Sequence, residues 1–196
     1  MRLTQRDVEI IEFLKRVVVA DTQTLLKIFF PNASLRTCQA RLKLLVDNKH
    51  IKCFRENILE QNIYFISRKP TSYKHKIVFS RLIGEMYAQD IEIIKYKTPL
   101  KLHNIIADGF IIYRKDDQER MLFVEVERTK FFQIQKYEDL YYSRKWKQNF
   151  LEFPSILVIT DKKVKVSFIL TTWYVNTLYN LNYDIRYIVL YQLRGM

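Results

Sequence analysis

Three helix-capping sites divide the first fifty residues of this sequence and restrict what the chain can fold into. Thr4 begins Thr-Gln-Arg-Asp, which places an acid at the third helical position, and apolar residues then recur at helical spacing. This pattern predicts a helix over about 5–16. Asp21 or Thr22 caps a short second helix, and Ser34 caps a third.

The third predicted helix has one apolar side and one polar side. Its apolar stripe consists of Leu35, Cys38, Leu42 and Leu45. The opposite side carries Arg36, Thr37, Ala40 and Lys43. Two strand-like runs follow at 51–54 and 63–66, joined by a polar segment. Three helices followed by a two-stranded hairpin is the order of a winged helix-turn-helix domain.

A helix fits the major groove of B-DNA, so polar side chains on its exposed face can contact base edges and phosphates. We expect DNA contacts from the third helix and the hairpin, at Ser34, Arg36, Thr37, Arg41, Lys43, Lys52 and Arg55. Arg41 lies beside the apolar stripe, so it serves either the fold or a phosphate. Leu44 lies on the exposed side and indicates packing on the second domain or on a second subunit. A protein-interaction module without DNA contacts is the alternative.

The charge of the whole chain agrees with a polyanionic partner. The formal net charge is +12 over 196 residues, which favours DNA, RNA or an anionic lipid surface. The start lacks the apolar core of a secretory signal, and no segment approaches about 18 uncharged apolar residues. We therefore expect a cytoplasmic protein that does not cross a membrane. Cys38 and Cys53 stand singly, so neither a zinc site nor a disulfide framework is expected.

A polar break at 68–72 separates the winged helix, predicted over 1–69, from a second domain over 70–196. The pattern of the second domain predicts helices at 73–89, 130–149 and up to about 180, and strands at 91–96, 105–113, 121–127, 156–160 and 185–190. The sequence therefore predicts an α/β (α+β) fold, in which the second domain is a mixed sheet flanked by helices.

Two of the predicted strands carry carboxylates where burial should be greatest. Asp108 lies within Ile-Ile-Ala-Asp-Gly-Phe-Ile-Ile. Glu125 and Glu127 end the run Met-Leu-Phe-Val-Glu-Val-Glu and share one face of their strand. A buried carboxylate needs a metal, a basic partner or an exposed strand end, so these three residues mark a candidate site.

This layout resembles the PD-(D/E)xK nuclease superfamily, whose carboxylates hold Mg²⁺ for phosphodiester hydrolysis. Glu127 replaces the usual lysine, as in some type II restriction enzymes that remain active. The resemblance implies Mg²⁺ ligands at Asp108, Glu125 and Glu127, a further ligand at Glu85 and a charge from Lys130. For this chain we expect a degenerate site, in which the acids bond to Lys130, Lys136 or Arg128, and a metal-dependent activity is the alternative.

The chain also resembles the replication-relaxation family of plasmids, phages and other mobile elements. The matching segments are Leu3-Thr4-Gln5-Arg6-Asp7, Arg41-Leu42-Lys43-Leu44-Leu45, Asp108-Gly109, Phe123–Thr129, and Lys136-Tyr137 with Tyr141. The resemblance implies a double-stranded DNA-binding protein acting in replication, DNA relaxation or transfer, or transcriptional control. A replication or relaxase protein and a second copy of the chain are the implied protein partners. A Mg²⁺-dependent endonuclease or nickase and a protein scaffold are the alternative functions.

Two other features have ordinary interpretations beside functional ones. His75 and His103 are expected in surface or packing roles. The helix predicted at 130–149 interleaves aromatic with basic side chains, which would suit single-stranded bases. More commonly, such aromatic side chains cover a sheet while the cations stay in water.

Overall fold

The chain contains both helices and strands and is an α/β protein, as the sequence predicts. The computed structural model describes residues 1–128, 131–160 and 170, and the backbone of 172–175. The chain divides into two units between Asp90 and Ile91. No helix among the described residues is both long and apolar enough to cross a membrane.

The first unit begins with three capped helices. One short strand lies between the first two helices. The order is α1 (Gln5–Val17), β1 (Ala20–Asp21), α2 (Thr22–Phe29) and α3 (Leu35–Asp47). Thr4 N donates to the Asp7 carboxylate at 2.7 Å, and Asp7 N donates to Thr4 Oγ1 at 3.3 Å. Asp21 and Ser34 cap α2 and α3 by accepting from backbone N–H groups. The three predicted helices are confirmed, and the second cap is Asp21.

A hairpin follows α3 and pairs with β1. Its strands and the helix after it are β2 (Lys52–Phe54), β3 (Ile63–Phe65) and α4 (Tyr73–Ala88). The three strands form an antiparallel sheet in the order β1-β3-β2, with Ala20 and Cys53 on either side of Tyr64. The predicted order of three helices and a hairpin is confirmed, and β1 is an addition that the sequence pattern did not show.

Apolar side chains of the helices meet in the core of the first unit. Ile10, Leu14 and Leu25 are at most 1% exposed. The predicted stripe of α3 is confirmed for Cys38, Leu42 and Leu45, which are fully buried. Leu35 was expected in the same stripe, but it lies in the first turn of α3 and is 39% exposed. The start of α3 therefore projects beyond the core.

A buried ion pair joins α1 to α3. Asp7 is fully buried, and its carboxylate accepts hydrogen bonds from Arg41 Nε at 2.8 Å and from a second Arg41 nitrogen. The Arg41 guanidinium holds the pKa of Asp7 well below its usual range, and the bonds from Thr4 lower that pKa further. Because two nitrogens along one edge of the guanidinium are held by the two carboxylate oxygens, the pair restricts the rotation of α3 about its own axis.

Helix α4 belongs to the first unit, contrary to the boundary predicted at the polar break 68–72. Arg81 Nε donates to the Asp21 carboxylate at 2.7 Å, and Lys27 on α2 pairs with Glu85 on α4. These ion pairs accompany extensive packing of α4 on α2. The polar break is therefore a turn within the first unit, and the division of the chain comes after α4.

The second unit is built on a mixed sheet, as predicted. Its strands are β4 (Glu92–Lys97), β5 (Leu100–Leu102), β6 (Ile105–Ala107), β7 (Gly109–Lys115), β8 (Gln118–Glu127), β9 (Ser155–Thr160) and β10 (Thr172–Val175). Five of them form one sheet in the order β10-β9-β8-β7-β4, while β5 and β6 form a separate hairpin. The pairs of β4 with β7 and β7 with β8 are antiparallel, and β8, β9 and β10 are parallel.

Three predictions for the second unit were wrong in detail. The strand expected at 105–113 is interrupted at Asp108, where the chain passes from the small hairpin into the large sheet. The helix expected at 130–149 is shorter: α5 spans Gln135–Ser143, and a 3-10 turn follows at Lys145–Gln148. Arg144 separates them because its φ of 57° is left-handed and cannot continue a helix. Thr172–Val175 is a strand rather than helix, and the strand predicted at 185–190 lies outside the described residues.

One face of the large sheet packs against α5. Its buried core comprises Phe110, Phe123, Phe132, Tyr137, Leu140, Trp146, Ile156 and Val158, together with apolar residues of the β5–β6 hairpin. Side chains alternate along a strand, so Glu125 lies on the same face of β8 as Phe123. A carboxylate is thus built into an otherwise apolar layer.

We expect Asp7→Asn to destabilise the first unit by about 3 to 5 kcal/mol, because it leaves the Arg41 guanidinium without its buried counter-charge. Hydrogen exchange of α1 and α3 amides in the intact protein reports on this unit alone. Glu12→Gln is the matched control, since Glu12 forms an exposed pair with Lys15 at 2.7 Å and should change stability by less than about 1 kcal/mol. Equal effects of the two substitutions would contradict the structural role of Asp7.

Candidate nucleic-acid interface and buried carboxylate centre

Helix α3 presents a continuous polar face to solvent. Arg36, Thr37, Ala40, Lys43 and Leu44 are all exposed, and they lie at the spacing of one helix face. Arg36 has no hydrogen-bond or ion-pair partner within the described part of the chain. Lys43 Nζ lies 3.1 Å from Asp47 in an exposed pair, which is weak enough to be exchanged for another anion. The predicted solvent-facing side of α3 is confirmed.

Ser34 and Thr37 share a capping role at the start of α3. Ser34 Oγ accepts from Thr37 N at 3.2 Å and lies 2.9 Å from Thr37 Oγ1. Both residues are exposed, and a hydroxyl with two lone pairs and a donor can make a further hydrogen bond. The first turn of α3 therefore offers backbone N–H groups, two hydroxyls and Arg36 on one surface.

The hairpin adds cations whose charges remain uncompensated. Lys52 Nζ donates to Ser67 O at 2.7 Å. Arg55 Nε donates to Asn62 Oδ1 at 3.1 Å. These acceptors are neutral oxygens, so both exposed cations keep their net charge toward solvent. The segment 35–55 has one acid, Asp47, against six basic residues: Arg36, Arg41, Lys43, Lys49, Lys52 and Arg55.

Arg41 is the exception among the predicted DNA contacts. The sequence left it between a role in the fold and a phosphate contact. Its guanidinium is bonded to the buried Asp7 carboxylate and its side chain is 25% exposed, so its fork of donors is used within the unit. The structure assigns Arg41 to the fold.

The second unit holds a buried carboxylate centre, which comprises Glu125, Asp108, Lys136 and Tyr137. Glu125 is 3% exposed. Its Oε1 accepts hydrogen bonds from Lys136 Nζ at 2.7 Å and from the Tyr137 hydroxyl at 2.5 Å. Both donors come from the first turn of α5, which packs over this face of the sheet. Lys136 was among the basic partners expected for these acids, and this contact is confirmed.

Burial controls the protonation of this centre. It raises the pKa of Glu125, and although Lys136 and Tyr137 oppose the shift, the net direction is upward. The charge of Asp108 adds to the rise, which shows that the two carboxylates interact. Burial and then the charge of Glu125 raise the pKa of Tyr137, so its phenol stays protonated and donates. Tyr137 is therefore a hydrogen-bond donor at neutral pH rather than a nucleophile.

The other two acids of the predicted trio are less buried than Glu125. Asp108 Oδ2 accepts a hydrogen bond from Val126 N at 2.8 Å, across the interruption between β6 and β7. Glu127 lies at the end of β8, opposite Thr160 on β9, and is half-buried. Asp108 thus completes the backbone bonding of β8 at the point where the neighbouring strand is interrupted.

The predicted Mg²⁺ site does not assemble among the described residues. No group of three aspartate, glutamate, histidine or cysteine side chains in this part of the chain is placed to hold an ion. The ammonium of Lys136 already neutralises Glu125. Glu85, the expected further ligand, lies on α4 in the first unit and pairs there with Lys27. Lys130, the expected additional charge, lies outside the described residues.

The aromatic side chains around α5 mainly cover the sheet. Tyr137 and Trp146 are buried, and Trp146 Nε1 donates to Tyr141 O at 3.0 Å. Tyr142 is 62% exposed. This distribution confirms the packing interpretation for the buried rings. Of His75 and His103, the second has its Nε2 atom 3.3 Å from the Asn149 amide nitrogen in an exposed contact.

Comparisons with known proteins leave the chain without a family. No family model matches it, and no curated protein matches it. Three chains of solved structures match. One of them is the protein VC1899 from Vibrio cholerae, at 9% identity and a TM-score of 0.38, over 82% of this chain and 43% of that chain. The chain spans less than half the length of that protein, and a similarity of this size carries no argument about function.

We expect Glu125→Gln to change the pH dependence of stability of the second unit. Because the pKa of Glu125 is raised on folding, its favourable contribution is complete below its ordinary value of 4.5 and is lost as pH rises through the folded-state pKa. The variant has no such loss, so its stability relative to the wild type should rise across this window. The stability of Lys136→Met relative to the wild type should instead fall across this window. Without the Lys136 ammonium, the charged form of Glu125 costs the folded state more free energy.

Urea unfolding followed by tryptophan fluorescence between pH 4 and 8 measures this difference. Trp146 and Trp173, the two tryptophans of the chain, both belong to the second unit, so the signal reports on that unit. A constant offset between Glu125→Gln and the wild type across this pH range would contradict the raised pKa.

Proposed function

We propose that this chain binds double-stranded DNA through its first unit, with α3 in the major groove and the hairpin on the phosphate backbone. The exposed polar face of α3 carries the proposal. A helix of this kind fits a groove about 12 Å wide, and arginine, threonine and lysine side chains can bond there to base edges and phosphates. Arg36, Thr37 and Lys43 are the proposed base-side contacts, and Ser34, Lys52 and Arg55 are the proposed backbone contacts.

The order of elements in the first unit supports this proposal. After α1, the elements follow in the order β1, α2, α3 and hairpin, so α3 comes directly before the hairpin. This is the arrangement of a winged helix-turn-helix. The ion pair between Asp7 and Arg41 keeps the apolar stripe of α3 inward, so the polar face is presented without rearrangement. The excess of positive charge in the same segment favours a polyanion.

The proposed setting is the cytoplasm, on DNA of a plasmid, phage or other mobile element. The resemblance to the replication-relaxation family suggests a part in replication, relaxation, transfer or transcriptional control, with a replication or relaxase protein or a second copy of the chain as partner. For the second unit we propose an accessory role, because Glu125 is neutralised by Lys136 rather than left open to an ion. Its nuclease-like carboxylates then serve the packing of α5.

We expect Arg36→Ala with Lys43→Ala to weaken binding to a 30-base-pair duplex at least about tenfold, since one base-contacting arginine alone contributes about 1 to 3 kcal/mol. The slope of log affinity against log salt should fall by about 0.9 for each phosphate contact removed. Fluorescence anisotropy over a range of salt concentrations measures both quantities.

Lys95→Ala with Lys97→Ala is the charge-matched control. These lysines are exposed on β4, in the second unit, and removing them lowers the net charge equally. If both double variants bind DNA equally well, the proposal that α3 contacts the DNA is wrong. If the wild type shows no salt-dependent duplex binding, the chain acts instead as a protein scaffold.

We expect supercoiled plasmid to remain intact when it is incubated with the protein and Mg²⁺ or Mn²⁺, because Glu125 is bonded to Lys136 and Tyr137. Agarose-gel separation of supercoiled, nicked and linear forms measures this. Nicking by the wild type that disappears in Glu125→Ala would establish the endonuclease alternative and overturn the accessory role of the second unit.

A further inference from the structure

The tip of the hairpin exposes two adjacent aliphatic side chains. The hairpin tip, defined as residues 56–61, connects β2 to β3. Ile58 is 87% exposed and Leu59 is 97% exposed. Single exposed apolar residues are common on protein surfaces, but two neighbours at the end of a projecting loop form a small apolar wedge.

Hydrogen bonds hold this wedge in one conformation. Asn57 Oδ1 accepts from Leu59 N at 3.0 Å and from Glu60 N at 3.1 Å. Arg55 donates from its guanidinium to Ile58 O at 3.1 Å. These bonds use backbone groups of Ile58, Leu59 and Glu60, so the turn does not depend on the two aliphatic side chains. The wedge is therefore preformed, which lowers the entropic cost of inserting it into a partner.

The hairpin tip is also tied to the helix that precedes α3. Thr22 N donates to Asn62 O at 3.2 Å, and Gln23 N donates to Gln61 Oε1 at 3.1 Å. The returning arm of the hairpin is thus anchored on the first turn of α2.

The surroundings of the wedge favour a nucleic acid over an apolar protein surface. Four cations lie on the hairpin and just beyond it: Lys52, Arg55, Arg68 and Lys69. Of the two acids of the tip, Glu56 is paired with Lys74 at 2.9 Å. Glu60 bonds to the neutral Asn57 amide at 2.7 Å and keeps its charge, so the four cations face one uncompensated acid.

We propose that Ile58 and Leu59 insert as a wedge into the minor groove of the DNA on which α3 sits, and unstack a base step there. This inference rests on the proposed function of the first unit and adds deformation of the DNA to it. A wedge of two aliphatic side chains can enter between base pairs, because the flat faces of the unstacked bases are apolar. The cations beside it meet the phosphates on either side of the groove.

A topoisomer assay tests the wedge without knowledge of the target sequence. Relaxed plasmid is incubated with the protein and a type I topoisomerase, the protein is removed, and the topoisomers are separated on a gel. An unstacked step is untwisted, so the wild type should leave the plasmid negatively supercoiled in proportion to the protein bound. Ile58→Ser with Leu59→Ser should abolish that shift, while affinity for a 30-base-pair duplex falls by less than about tenfold because the phosphate contacts remain.

Leu151→Ser is the matched control, since Leu151 is an aliphatic residue of the second unit that is 98% exposed. It should shift the topoisomers as the wild type does. A wild type that binds duplex but leaves the topoisomers unchanged, or a shift that survives the double substitution, would overturn the wedge and indicate that the tip docks on a protein. Absence of duplex binding by the wild type would instead refute the proposed function itself.

Discussion

The ion pair between Asp7 and Arg41 determines which side of α3 faces solvent. A fully buried carboxylate that accepts both from its own capping residue and from a guanidinium on another helix leaves little freedom for either helix to rotate. Once α3 is held in this way, Leu42 and Leu45 must point inward and Arg36 and Lys43 must point outward. The proposed DNA contacts thus depend on Asp7, a buried residue of α1, and on its bond to Arg41.

The carboxylates of the second unit make their hydrogen bonds within the sheet and to α5. Glu125 stands in a layer of phenylalanine, isoleucine and valine side chains, where an isolated charge would be very costly. Lys136 and Tyr137 supply its hydrogen bonds from the start of α5, and Asp108 bonds to the backbone of β8. These polar contacts fix α5 on the sheet at one register, because a helix shifted by one residue would leave the carboxylate unpartnered.

Sequence patterns located most of the first unit because capping and amphipathic burial are local. The first residues of α1, α2 and α3 were predicted to within one residue. The features that escaped prediction depend on contacts between distant residues: β1 exists through its pairing with Ile63 and Tyr64, and α4 joins the first unit through Arg81 and Asp21. At the carboxylate centre, Lys136 was a candidate partner, whereas Tyr137 was expected only as an aromatic residue. Its role as a donor depends on where α5 begins, at Gln135 rather than near 130, and no local signal marks that start.

The central claim is that the outward face of α3 lies against DNA, and site-specific photo-crosslinking tests it most directly. Cys38 is buried, so replacing the exposed Cys53 by serine leaves a background in which an introduced surface cysteine can carry a benzophenone label. The account predicts that the label at Ala40→Cys, in the middle of the face, crosslinks to duplex DNA, and that the label at Leu151→Cys does not. Crosslinking from position 151 without crosslinking from position 40 would contradict it.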